Sequence, residues 1–135
     1  MDYLSEKTYV DQAEQVLKKL TEPYQSKDGR TVYPQIVTTS KIRNILSMAA
    51  DIYDKTLQNT DAKLNDDIVS RIEYLRVRII YECGRDERGV KKFVNEAKLI
   101  DYLKMINGDK GKYILFYRYL EALVAFHKFY GGKDN

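Results

Sequence analysis

Apolar residues in this 135-residue chain recur at every third or fourth position, and no segment alternates apolar with polar at every second. That periodicity argues against a sheet and predicts an all-α protein, a compact single-domain bundle of about five helices spanning residues 1–135. The first helical segment runs from about Glu6 to Leu20, with Tyr9, Val10, Ala13, Val16, Leu17 and Leu20 facing inward. Ser5 or Thr8 supplies its cap, and Pro23 discourages continuation. The second starts at the capping hydroxyls Thr38-Thr39-Ser40 and ends near Gln58. Its inner face is Ile42, Ile45, Leu46, Ala49, Ile52 and Tyr53, while Lys41, Arg43, Asp51 and Lys55 lie off it.

Asn65 or Asp66 opens the third helix, whose two first-turn aspartates suit the helix dipole. It reaches Cys83, with Gly84 as its stop and Arg85–Gly89 as a charged turn. Val90 to Ile106 is helical again, with a break expected near Ala97–Lys98. After the turn Asn107–Gly111, the last helix covers about Lys112 to Tyr130 and closes on Gly131-Gly132. Its only polar strip is Arg118, Glu121 and Lys128, and a helix apolar nearly all round belongs at the centre of a bundle. Residues 1–37 comprise an N-terminal helix plus a long connection, and residues 38–132 are the part that carries a family resemblance. The connection, Thr21 to Thr39, contains Pro23, Gly29 and Pro34 and carries Lys27 and Arg30. Connections of that length are functional or mobile. Mobile is the default reading here, with room for a short extended piece at Thr31–Val37.

Enzyme chemistry finds little support. Cys83 is the only thiol, and it falls on the apolar face with Ile72 and Ile79, the setting of a structural cysteine. His127, the only histidine, sits among Leu120, Val124, Phe126 and Tyr130 and reads as a core residue with one hydrogen-bond partner. One Cys and one His cannot supply the four ligands of a zinc site, and residues 61–67 lack the glycine and closing glutamate of a calcium loop. The stretch Gly84–Gly89 has the outer glycine spacing of a phosphate loop, but Val90 stands where lysine is required, and a helix precedes it. No cofactor is expected. Paired carboxylates assembled in three dimensions stay open. The lone cysteine fits a reducing, cytoplasmic compartment, and no apolar run approaches the roughly 20 residues that span a bilayer. The opening MDYLSEKTYVDQ lacks the apolar stretch of a secretory signal.

The net charge of +3 diagnoses nothing by itself, so the placement of charge matters. In SRIEYLRVRIIYECGR, Arg71, Arg78 and Arg85 are seven apart and superimpose on one side of a helix, forming a line about 21 Å long. Tyr74 and Tyr81 flank it on one side and Ile68, Ile72, Leu75 and Ile79 on the other, which places the line at a groove beside a neighbouring helix. Glu82 is the one acid read as interleaved with it. From Arg71 to Lys92 there are seven basic residues against four acidic ones. Guanidinium beside tyrosine suits a phosphate-tracking surface, whereas arginine that snorkels over an apolar stripe is the ordinary structural reading. Arg76 falls off the line, near Val69 and Cys83, and is expected to be partly buried with a carboxylate or carbonyl partner.

Three blocks, TTSKIRNILSMAADIYD, YLRVRIIYECGR and LEALVAFHKFYGG, resemble in the same order the small subunit of type III-A CRISPR effector complexes, the Csm complex. They cover Thr38 to Gly132. The resemblance implies a small helical protein without catalysis of its own. Several copies of it stack along the complex, opposite the guide-binding backbone subunits, and line the channel that holds guide RNA paired with target RNA. Cleavage and cyclic oligoadenylate synthesis belong to other subunits. The implied partners are guide RNA, target RNA, a large Cas10-type subunit, guide-binding backbone subunits and further copies, with no membrane. Because pairing reads the sequence, the small subunit touches backbone and shape. Carried over block by block, Lys41 and Arg43 come from SKIR, and Arg76, Arg78 and Arg85 from YLRVRIIYECGR. Arg71 joins them by periodicity alone. Lys128 reads as an RNA contact or as a charge suiting the helix C-terminus. The main alternative is a helical protein–protein adaptor whose basic face docks an acidic partner.

Overall fold

The computed structural model describes residues 1–132. Six α-helices surround one hydrophobic core: α1 (Tyr9–Thr21), α2 (Thr39–Gln58), α3 (Asp66–Arg85), α4 (Lys92–Ala97), α5 (Leu99–Ile106) and α6 (Lys110–Phe129). The expected bundle is present, and the fourth helical segment divides where expected. Lys98 takes a left-handed conformation at φ 58°, which ends α4 and starts α5. The central helix is α6, packed on α1, α2 and α5, with Tyr113, Phe116, Tyr119, Leu120, Leu123 and His127 buried. Helix α3 packs on α2 and α5 and lies at the edge.

Side-chain caps set several boundaries. Thr38 accepts from the Lys41 N–H, Asn65 from Ile68 and Asp109 from Lys112, so α6 starts two residues earlier than its apolar pattern suggests. Gly84 does not stop α3, because its helical neighbours continue to Arg85 and the chain turns at Asp86 instead. The expected charged turn is one turn of π-helix, Glu87–Lys91. Asp86 caps it by accepting from Gly89 and Val90, and a Cβ on Gly89 would stand 2.4 Å from the Asp86 Oδ2. Val10 is exposed although it was expected inside. The buried stripe of α1 is narrower than its apolar pattern, centred on Ala13, Val16 and Leu17, with Val10 at its rim.

The long connection has structure of its own. Tyr24–Gln25 (β1) and Thr31–Val32 (β2) pair antiparallel, Tyr24 opposite Val32. Only the second strand falls in the expected extended piece. Gly29 turns the hairpin at φ 85°, and Asp28 accepts from the Arg30 backbone N–H and side chain. The connection ends on Val37, which is buried. His127, fully buried, donates its Nε2–H to the Val37 carbonyl at 2.6 Å. Gly132 closes over that ring so tightly that a Cβ there would lie 2.0 Å from its Cε1. The terminal HKFYGG is therefore a latch between α6 and the connection, and His127 is the core histidine expected.

Candidate nucleic-acid interface

Helix α3 buries Ile68, Ile72, Leu75 and Ile79 at helical spacing and leaves Tyr74 and Tyr81 exposed. This matches the division expected from its sequence. Cys83 is half buried against the core, and burial pushes its thiol above the ordinary range. It is therefore a poor thiolate at neutral pH.

The heptad arginines occupy three different settings. Arg71 and Arg78 line a groove of about 530 Å³ between α2 and α3, together with Asn44, Met48, Asp51 and Tyr74. Arg85 lies beyond this groove, 5.7 Å over the Tyr81 ring and 3.5 Å from Glu82. Arg71 has an acid the periodicity argument passed over, Asp67 one turn earlier, whose Oδ2 is 3.0 Å from its Nε. An exposed pair at this spacing contributes only about 0.3–0.5 kcal/mol, so a phosphate can displace it. Arg78 is different. Its Nε is buried, and no acceptor among the described residues reaches it. A buried donor left unpaired costs about 1–3 kcal/mol, more when charged.

The other candidates do not all join this groove. Lys41 is held at 2.8 Å by Asp86, whose carboxyl lies below the ordinary carboxylate range chiefly because of that bond. Arg43 is exposed on α2 without a partner among the described residues. Arg76 is half buried and pairs with Glu73 at 2.6 Å, the carboxylate partner expected. Glu73 lines the opposite cleft, between α3 and α5, so Arg76 faces away from the groove. The groove residues missed from sequence are Asn44, Met48 and Asp51. They run at i, i+4 and i+7 beside the buried face of α2, a signal visible only once α3 is known to be the neighbour. Asp51 makes the groove less positive than the arginines alone suggest. Among the described residues no group of three or more Cys, His, Asp or Glu could hold a metal, and no helix is long and apolar enough to cross a membrane.

The chain is 38% identical over 134 residues to CRISPR system Cms protein Csm2 of Streptococcus thermophilus, which covers 99% of this chain and all of the relative. Over 99 residues it is 36% identical to the Mycobacterium tuberculosis protein of that name, covering 73% of this chain and 79% of the relative. The Enterococcus italicus protein is 38% identical over 101 residues, 73% of this chain and 71% of its own. The model of the family Csm2 Type III-A matches residues 10–133, so the similarity takes in α1 and the hairpin as well as the three sequence blocks. With a match over nearly its whole length, the chain belongs to the Csm2 Type III-A family.

Proposed function

We propose that this protein is a non-catalytic small subunit of a type III-A CRISPR interference complex, which stacks in several copies along guide and target RNA and contacts the RNA backbone through the α2–α3 groove. The observation that carries the reading is Arg78, which presents a guanidinium at the groove while its Nε lacks an acceptor. Arg71 sits two turns away, about 10.5 Å along the same helix, and is tied only by a weak surface pair. Tyr74 between them offers a ring face to a ribose or base. Guanidinium groups in line along a helix suit contacts to successive phosphates, as expected of a subunit that leaves sequence to base pairing. Its partners in this reading are the two RNAs, the large Cas10-type subunit, the guide-binding backbone subunits and further copies.

The test is a complex purified with Arg71→Ala and Arg78→Ala in this subunit. Target RNA should be retained less well at every sequence, and the slope of log affinity against log salt should become shallower by about 0.7–0.9 per lost phosphate contact. An unchanged slope and unchanged retention would sink the proposal. A second reading, a protein contact through an apolar strip and not through the basic face, has an observation of its own, the exposed Tyr74, Val77, Ile80 and Tyr81 of α3. Val77→Glu should break subunit assembly and spare RNA contacts if that reading is right. Ultraviolet cross-linking of the Tyr74 region to RNA speaks for the first.

A further inference from the structure

The turn of π-helix after α3 opens one wall of a second cleft, of about 530 Å³. Its other walls are the hairpin with Tyr24 and the end of the connection at Pro34–Val37. Arg88 and Lys92 line it four residues apart, on one helical face. Neither side chain makes an ion pair or hydrogen bond among the described residues. Like charges at that spacing repel, and a bound anion offsets the repulsion. Of the two acids in the cleft, Glu96 is engaged by Lys19 at 3.2 Å, which leaves Glu22. Tyr24 is more than half exposed. The π-turn leads directly into α4, so that Arg88 on the turn and Lys92 at the start of α4 open onto the same cleft.

We infer that this cleft is a second phosphate site, which takes single-stranded RNA. Arg88 and Lys92 hold a phosphodiester, and Tyr24 stacks on an adjoining base. The inference rests on the RNA-backbone reading above and extends it. The cleft has room on the order of a drug-sized molecule, which admits a nucleotide. Unpaired cations beside an exposed ring are the parts of a sequence-tolerant single-strand platform. Lys41 lines neither site, and its ammonium is held by Asp86, the residue that caps the π-turn.

The test compares an unstructured RNA with a duplex RNA on the full-length chain at low salt, by fluorescence anisotropy. The Arg88→Ala/Lys92→Ala variant should lose single-strand affinity, with a salt slope shallower by about 1.4 for two contacts, and keep duplex affinity. Tyr24→Ala should lose roughly tenfold for the single strand only. Arg71→Ala/Arg78→Ala should weaken the duplex first. If the groove variant changes nothing while the cleft variant loses the single strand, the groove reading fails and the cleft stands. Unchanged single-strand binding in the cleft variant overturns the inference, as does a wild-type chain that binds no single strand at low salt. Arg88→Glu that releases a protein subunit from the complex but leaves RNA binding intact also overturns it, and assigns the cleft to an acidic protein segment. Melting curves matching the wild type confirm that each variant folds.

Discussion

On the α6 side of the bundle, Tyr113 donates its buried hydroxyl to the Ala49 carbonyl at 2.6 Å, Tyr119 to Ala97 at 2.9 Å, and Tyr3 to Lys112 at 2.6 Å. On the α3 edge, Arg78 buries an Nε that meets no acceptor among the described residues. The three tyrosines tie α6 to α2, to α4 and to the N-terminal segment, and burial raises all three hydroxyls above the ordinary range. They therefore remain donors throughout the physiological range. The α6 side has unpaired atoms too, Thr39 Oγ1 and His127 Nδ1. Arg78 is a charged donor, for which a missing partner costs more. The contrast separates polar groups paired within the bundle from one that burial leaves unpaired at its edge.

The largest effect should come from Phe116→Ala, which empties a fully buried ring site in α6 and should cost about 3–5 kcal/mol in denaturant unfolding. A loss near zero would mean that α6 is not the centre of the core. Gly132→Ala comes next. The added methyl must displace the His127 ring or pull the chain end away, at about 1–3 kcal/mol, and thermal melts should show it. Asp86→Ala should cost about 1 kcal/mol through the lost cap of the π-turn and the lost Lys41 bond. Because folding lowers the Asp86 pKa, its contribution is present above the unfolded value and fades as pH falls through the folded one. The gap between wild type and Asp86→Asn should therefore shrink as pH drops below about 4. The smallest effect on stability should come from Arg71→Ala/Arg78→Ala/Arg85→Ala. The exposed pairs of Arg71 and Arg85 contribute roughly 0.5 kcal/mol or less each. Removing Arg78 also removes an unsatisfied donor. A stable variant with weakened RNA retention sharpens the comparison, and a strongly destabilised one breaks it.

Local chemistry explains how much of this was readable beforehand. Asn65, Thr38 and the apolar stripes of α2 and α3 act within a few residues, so the sequence marks them directly. Gly84 misled because glycine permits a helix end without requiring one, and Asp86 supplied the actual turn. The heptad puts Arg71, Arg78 and Arg85 on one side of a single helix, α3. Whether each arginine meets a groove, a ring or an acid depends on neighbours. Arg71 and Arg78 face α2, Arg85 has run past the groove, and Asp67 was close enough in sequence to have been counted.

The amino-acid order by itself determined the main helices, most of the inward face of each and the central place of α6, because helical period and capping are short-range physics. It determined as well that His127 would be a core residue and that Cys83 would lean against the core. Only the tertiary structure decided that α3 lies at an edge against α2, that Lys41 is tied to Asp86, and that HKFYGG latches onto Val37. It alone decided that Arg78 has no acceptor while Arg76 has one. These depend on which surfaces meet across long sequence separations, and a donor's need for a partner is settled by what burial has removed around it.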